Sequence, residues 1–188
     1  MEKMRCGWCE KDDLYRKYHD EEWGKPIYDD ETIFEFLILE SFQAGLSWYT
    51  ILSKRENFRK AFDDFNYKKI AKYSDEKVEE LMQNPGIIRN RLKVLATITN
   101  AQKFQEVQKE FGSFSNYIWG FVDGKPIDNT PQTLKDVPAT TAISDALSKD
   151  LKKRGFKFMG STVVYAHMQA TGMVNDHVKG CFLRNYNL

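Results

Sequence analysis

Apolar residues recur along this chain at three- and four-residue spacing almost everywhere, the period of helices that bury one face. Ile33, Phe34, Leu37 and Ile38 follow the acidic starter Asp29-Asp30-Glu31, which suits a helix N-terminus. A second helix is predicted over 47–62, with Ile51, Phe58 and Phe62 inward and Lys54, Arg55, Arg59 and Lys60 outward. Ser74 caps a short predicted helix carrying Val78, Leu81 and Met82, ended by Asn84-Pro85-Gly86. A long helix is expected over about 89–110, with Leu92, Leu95, Ala96, Ile98 and Phe104 on one side and Gly112 at its end. Residues 122–141 hold Pro126, Pro131 and Pro138 and read as an extended connection. Two more helices are predicted over 142–154 and 161–171, with Gly155 and Gly172 at their C-terminal caps. Strand-like alternation is scarce, so the expected class is all-α, with two helices crossing tightly around Gly155 to Gly160.

Composition narrows the function classes. With 188 residues, 41% hydrophobic and 29% charged, the chain is globular and neither disordered nor fibrous. A formal charge of +1 gives no overall field towards nucleic acid or membrane. No apolar run approaches the about 18 residues of a membrane span, and the first residues lack the apolar stretch of a signal peptide. The expectation is a soluble cytoplasmic protein. Three cysteines, Cys6, Cys9 and Cys181, cannot all pair, and in a reducing compartment they are thiols or metal ligands. Aromatics make up 14% of the chain, and Trp8, Tyr15, Tyr18, Trp23, Trp48 and Tyr49 crowd its first fifty residues beside ionisable groups.

Three constellations could carry chemistry. Cys6 and His19 lie near the start, and His177 and Cys181 form a His-x-x-x-Cys pair near the end. Two thiolates and two imidazoles suit a closed tetrahedral zinc site that staples the chain ends. Two buried thiols with two surface histidines is the plainer alternative, and Cys6-x-x-Cys9 is a competing half-site. An open site using His19 or His177 would instead mean a zinc hydrolase, with three ligands and a water. Second, Glu40 sits among Phe36, Leu37 and Leu39, just before Gly45 and Trp48. An unpaired charge there is costly, so Glu40 either pairs, serves a ligand, or lies at a solvated helix end. Third, the stretch 151–162 places Gly155 and Gly160 between helices, inside a run where Lys149, Lys152, Lys153, Arg154 and Lys157 face one acid, Asp150. Backbone N–H groups at such a helix start can grip a phosphate, although a solvated basic face has the same composition. His167 reads as a packed or edge histidine. Asp176 reads as either an orienting partner of His177 or a turn cap.

Taken together, Arg5-Cys6-Gly7-Trp8, Tyr18-His19-Asp20-Glu21-Glu22-Trp23-Gly24, Gln43-Ala44-Gly45-Leu46-Ser47-Trp48, Gly155-Phe156-Lys157-Phe158 and Val174-Asn175-Asp176-His177 resemble the DNA-3-methyladenine glycosylase I family. The resemblance runs from the first residues to the last. It implies a helix-hairpin-helix DNA glycosylase fold in a single unit, 1–188. A zinc-stapled subregion would occupy about 1–25 and 172–188, and a helix-hairpin-helix segment about 142–172. It implies one structural zinc on Cys6, His19, His177 and Cys181, with Cys9 outside the set and no catalytic cofactor. It places base recognition on Glu40, Tyr18 and Trp48, with Trp8, Tyr15 and Trp23 completing an aromatic wall, and makes Glu40 the catalytic candidate. Contacts to DNA fall on Gly45 and Leu46, which fills the gap in the duplex, and on Arg154, Gly155, Lys157, Gly160, Ser161 and Thr162. Most of the wider superfamily places a catalytic Asp where this chain has Asn175, and no lysine stands as in lyase-type relatives. The implied reaction is hydrolysis of the N-glycosidic bond of 3-methyladenine in alkylated double-stranded DNA. Free 3-methyladenine is the product, released without strand cleavage by a monomer. The rival from another class is a zinc-stapled nucleic-acid-binding module, which leaves Glu40 without a purpose.

Overall fold

The computed structural model describes residues 3–185, so the last three positions of the expected C-terminal subregion lie outside the described residues. In chain order the helices are α1 (Asp13–Glu21), α2 (Asp30–Gln43), α3 (Trp48–Leu52), α4 (Arg55–Ala61), α5 (Tyr67–Ile70), α6 (Asp75–Gln83), α7 (Arg91–Phe111), α8 (Phe114–Trp119), α9 (Ala142–Lys153) and α10 (Ser161–Ala170). Two strands of two residues each, β1 (Ile127–Asp128) and β2 (Val174–Asn175), pair in parallel, Ile127 with Val174 and Asp128 with Asn175. The all-α expectation holds apart from this pairing. It ties the proline-rich connection to the C-terminal segment.

Helix α2 is the axis of the molecule. Its residues from Phe36 to Phe42 are all buried, as expected of a helix apolar on every side. Asp29 caps it, accepting from Thr32 N at 2.8 Å. Asp30 reaches across to the start of α8, accepting from Phe114 N and Ser115 N at 2.9 and 2.8 Å, where a carboxylate meets the positive end of a helix. Helices α7, α8 and α10 pack around this axis, with α9 against α10, and enclose a core rich in phenylalanine rings.

Two details of the sequence reading change. The helix predicted over 47–62 breaks at Ser53-Lys54 into α3 and α4, and Arg55 turns inward rather than outward. Its guanidinium donates to Glu35 Oε1 at 2.6 Å and to Glu22 Oε2, so burial leaves no uncompensated charge. On α7 the buried residues are Lys93, Val94, Ala96, Thr97, Asn100, Ala101, Phe104 and Val107, so Ala96 and Phe104 turn inward as expected, whereas Leu92 is 69% exposed and Leu95 41%. Hydrogen bonds let the polar members of that face be buried. Lys93 and Asn100 bond carbonyls of other segments, and Thr97 Oγ1 donates to Lys93 O at 2.9 Å.

Gly172 closes α10 in a left-handed conformation (φ +70°), and a Cβ there would lie 2.4 Å from backbone atoms of Lys25 and Pro26. The same junction carries the Ile27 N–H bond to Thr171 O at 3.0 Å, which fastens the N-terminal segment to α10. Gly172→Ala is therefore expected to cost about 3 kcal/mol from strain and overlap together. In a thermal melt this is a drop of about 6–12 °C for a chain of this size.

Candidate active site and metal centre

The loop before α1 and the segment after β2 bring Cys6, His19, His177 and Cys181 together, all buried, with their ligand atoms within 4.8 Å of one another. Cys6 Sγ lies 3.6 Å from His177 Nδ1, and Cys181 Sγ lies 3.5 Å from both His19 Nε2 and His177 Nδ1. Tetrahedral zinc bonds, about 2.3 Å to sulfur and 2.0–2.1 Å to nitrogen, put sulfur and nitrogen about 3.5–3.6 Å apart, so the donor set fits such an ion. The chemistry agrees. The Cys181 thiol is pulled down by a hydrogen bond from Cys6 and then by both histidines, while Cys6 is pushed up by that bond and by burial. Two facing sulfurs are both thiolates only with a cation between them.

The supporting shell is in place. His19 Nδ1 pairs with Asp20 Oδ1 at 2.9 Å, which leaves Nε2 to face the cluster, and Arg5 grips the same carboxylate with contacts of 2.8–3.1 Å. Gly24 (φ +78°) lies against the outer edge of His177, where a Cβ would fall 2.9 Å from Nε2. Cys9 stays outside the set, its thiol donating to Cys6 O at 3.0 Å.

The rings that touch this cluster also wall a cavity of about 400 Å³, lined by Trp8, Tyr15, Tyr18, Trp23, Glu40, Gln43, Trp48, Leu134, Val137, Ala166, Gln169 and Asp176. Trp8 contacts His19 and Trp23 with ring centroids 5.4 and 5.1 Å apart, and Trp23 meets His177 edge-on at 4.8 Å. Tyr18 packs against Trp48 at 5.5 Å and Tyr15 against Trp8 at 5.3 Å. The Cys2His2 cluster and the cavity wall are thus one packed unit.

Glu40 projects into this cavity from the last turn of α2. It is only 3% exposed, and its Oε2 has no hydrogen-bond partner. Burial pushes its carboxyl up to about 8. Tyr18 is buried beside it and its hydroxyl is likewise pushed up, first by burial and then by Glu40. Trp48 Nε1, also buried, is a second unpartnered polar atom. Of the alternatives open at the sequence level, the solvated helix end is excluded.

Beyond Glu40 the chain turns at Gly45 (φ +81°) and exposes Leu46 (40%) in a loop from Ala44 to Ser47. Lys93 holds the base of that loop: its buried Nζ donates at 2.7 Å to both Phe42 O and Ala44 O. Burial lowers its ammonium from the ordinary value. Lys93→Met strips two carbonyls of a charged donor and is expected to cost about 2–3 kcal/mol. Amide exchange should rise over 42–47 in the variant, which checks that the loss is local.

The helix crossing forms where predicted. Gly155 (φ +97°) and Phe158 (φ +57°) turn the chain between α9 and α10. Asn100 clamps the turn, donating to Lys157 O at 3.0 Å and accepting from Lys157 N at 2.8 Å. Gly160 precedes α10 and supplies no side-chain cap, so the first N–H groups, at Ser161 and Thr162, lie at an open helix start. Arg154 is already committed: it pairs with Glu110 and Asp150 at 2.7 Å and lies 5.0 Å from the Phe111 and Tyr117 ring centroids. The Ser161 hydroxyl is likewise bonded to Asp145 Oδ1.

Several cavity residues were not anticipated from the sequence. Leu134 and Val137 come from the stretch read as a plain connection, and Ala166 and Gln169 from a half-buried side of α10. Asp176 takes neither role considered for it. It accepts hydrogen bonds from Tyr165, Gln169 and Asn129 and faces the cavity. Its one available signal was its place beside His177 of the cluster. Asn175 instead turns to the C-terminal segment, donating to Arg184 O at 3.0 Å. His167 is buried, with neither ring nitrogen hydrogen-bonded.

Known proteins share this fold. A crystal structure of 3-methyladenine DNA glycosylase I superposes with a TM-score of 0.93 at 50% identity, covering 95% of this chain and 98% of that one. A second such enzyme, a Tyr-to-Phe variant in complex with 3-methyladenine, superposes with a TM-score of 0.94 at 38% identity, covering 98% and 99%. The DNA-3-methyladenine glycosylase 1 of Escherichia coli K12 is 50% identical over 177 residues, 94% of this chain and 95% of that protein. The family model for methyladenine glycosylase matches residues 8–184, and with likeness on this scale in both sequence and fold the chain belongs to that family, the DNA-3-methyladenine glycosylase I enzymes.

Proposed function

We propose that this chain excises 3-methyladenine from alkylated duplex DNA by turning the damaged nucleotide into the aromatic cavity and hydrolysing its N-glycosidic bond. The observation that carries the reading is Glu40, a buried carboxyl with an unpartnered oxygen inside a cage of rings. An apolar core has no use for such a group, whereas a purine edge does. Adenine presents an N–H₂ donor beside a ring-nitrogen acceptor. Glu40 accepts from the amine, and its charged form stabilises the positive charge that methylation at N3 places on the ring.

The chemistry needs little more from the protein. A cationic purine is already a good leaving group, so selective binding out of the stack does most of the work. Tyr18, Trp48, Trp8, Tyr15 and Trp23 stack against the electron-poor ring and favour its charged form. As the glycosidic bond breaks, its electron pair moves into the purine and water adds to the sugar, leaving an abasic site. No lysine lines the cavity, so the chain's own residues offer no amine to replace that water. Leu46, on the exposed loop that follows Gly45, fills the gap in the duplex. The turn from Gly155 to Gly160, the N–H groups of Ser161 and Thr162, and Lys157 hold a backbone phosphate. Arg154 serves by bracing this turn, because its own charge is spent on Glu110 and Asp150. Zinc on Cys6, His19, His177 and Cys181 is a structural cross-link with no open position, stable as thiolates in the cytoplasm, and the protein acts as a monomer.

Base release from alkylated duplex DNA tests this directly, with 3-methyladenine, 7-methylguanine and hypoxanthine separated as products. Wild type is expected to release 3-methyladenine selectively. Trp48→Ala should slow release about 10- to 100-fold, the worth of one base–aromatic stack. A folded, metal-loaded wild type that releases no base but still binds the DNA would move the chain to the binding-module reading.

A further inference from the structure

The cavity holds a second carboxylate to which the proposed reaction gives no task. Asp176 is only 1% exposed to solvent and lines the cavity with Glu40. Its environment is the opposite of that of Glu40, whose Oε2 has no partner. Asp176 Oδ2 accepts from Tyr165 OH at 2.7 Å and Gln169 Nε2 at 2.8 Å, and Oδ1 accepts from Asn129 Nδ2 at 2.8 Å. Three neutral donors from α10 and the proline-rich connection thus fix the group in position. Donors of this kind satisfy a charged carboxylate without neutralising it. The chain direction explains the aim: the neighbouring Asn175 side chain bonds Arg184 O, and Asp176, one residue on, faces the cavity.

We propose that Asp176 is a catalytic residue of the excision reaction: a fixed negative charge against the flipped nucleotide, which stabilises positive charge as it moves from the purine onto the sugar. This rests on the function proposed above. In the step itself the C1′–N9 electron pair leaves with the purine, which becomes neutral, and the sugar takes on oxocarbenium character. Water adds at C1′ and its proton passes to solvent. Asp176 neither gains nor loses a bond. Its three donors hold it in place beforehand, so no reorganisation is needed when charge develops. Glu40 and Asp176 therefore divide the work: Glu40 meets the edge of the base, and Asp176 supplies the standing charge.

The test is single-turnover release of 3-methyladenine from methylated duplex DNA by full-length wild type, Asp176→Asn and Tyr165→Phe. Zinc content, melting temperature and affinity for a duplex with an abasic-site analogue are measured alongside. Asp176→Asn keeps the shape of the side chain and is expected to slow the chemical step about 100-fold or more, the range found for losing one preorganised electrostatic contact. Zinc content and duplex affinity should stay within about twofold of wild type, a split that a merely structural role would not give. A folded, zinc-loaded Asp176→Asn protein with a rate within about threefold of wild type overturns the proposal. If Asp176→Asn does not fold, Tyr165→Phe decides. That substitution removes one donor to the carboxylate, and the expected slowing is about 5- to 10-fold with the fold retained, whereas an unchanged rate overturns the assignment. Wild type that releases no 3-methyladenine would instead sink the proposed function.

Discussion

Cys181→Ser is expected to retain less than a tenth of the metal that wild type binds, to melt about 10 °C or more below wild type, and to lose base release, although the substituted side chain would touch no substrate. Packing is the cause. His19 and His177 are held by the cluster on one side and by Trp8 and Trp23 on the other, and those two rings are walls of the cavity. Releasing one ligand frees the C-terminal segment that closes over Cys6, and the rings lose their backing. Structural zinc in small domains contributes about 10–16 kcal/mol. Here a large phenylalanine core persists without it, so about 5 kcal/mol is a reasonable share, and 2–4 °C per kcal/mol sets the expected melting shift. Two further variants calibrate the result. Asp20→Asn, which weakens both the support of His19 and the grip of Arg5, should reduce metal affinity about 10- to 100-fold, and Cys9→Ser should leave it unchanged. A Cys181→Ser protein with full metal content would show that the four residues are not the ligands.

Much of this arrangement was legible in the sequence, for reasons that also explain what was not. Helix starts carried their own signals: Asp29 and Ser74 each cap the helix that follows. The four cluster residues are chemically distinctive, so their spacing at the two chain ends could be noticed. The aromatic crowding in the first fifty residues was visible, but only the family resemblance made it a wall; α1 and the loop before it face the end of α2 and so bring those rings to the cavity. What failed was orientation. On α7, Ala96 and Phe104 are buried as expected, but Leu92 and Leu95 face out while Lys93, Thr97 and Asn100 are buried beside Val94 and Ala101, each of the three polar residues finding a carbonyl to bond. Arg55 reads as a surface residue until Glu22 and Glu35, 33 and 20 positions away, are seen beside it. Asp176 has the same character. Its role depends on Asn129, Tyr165 and Gln169, and no local pattern announces a partner set assembled from a connection and a helix.

Glu40→Gln is expected to stabilise the empty protein in alkaline solution while slowing excision about 100-fold. The carboxyl of Glu40 rises from its ordinary 4.5 to about 8 on burial. Between those values the unfolded chain has released the proton and the folded chain keeps it. The folded state then binds more protons than the unfolded one, so stability falls as pH rises through this window. At about 1.4 kcal/mol per pH unit the loss reaches about 5 kcal/mol by pH 8. The amide of the variant has no proton to lose, so the two melting curves should nearly coincide at about pH 4 and separate steadily up to about pH 8, the variant melting higher. Parallel curves across that range would mean that Glu40 is not buried as a neutral acid. The activity loss follows from the same physics. A cationic base entering beside Glu40 offsets the burial penalty and lets the group ionise against it, which neutral adenine cannot do. The instability of the empty pocket at high pH and its preference for a methylated base are then two measurements of one buried carboxyl, and a variant that lost one without the other would separate them.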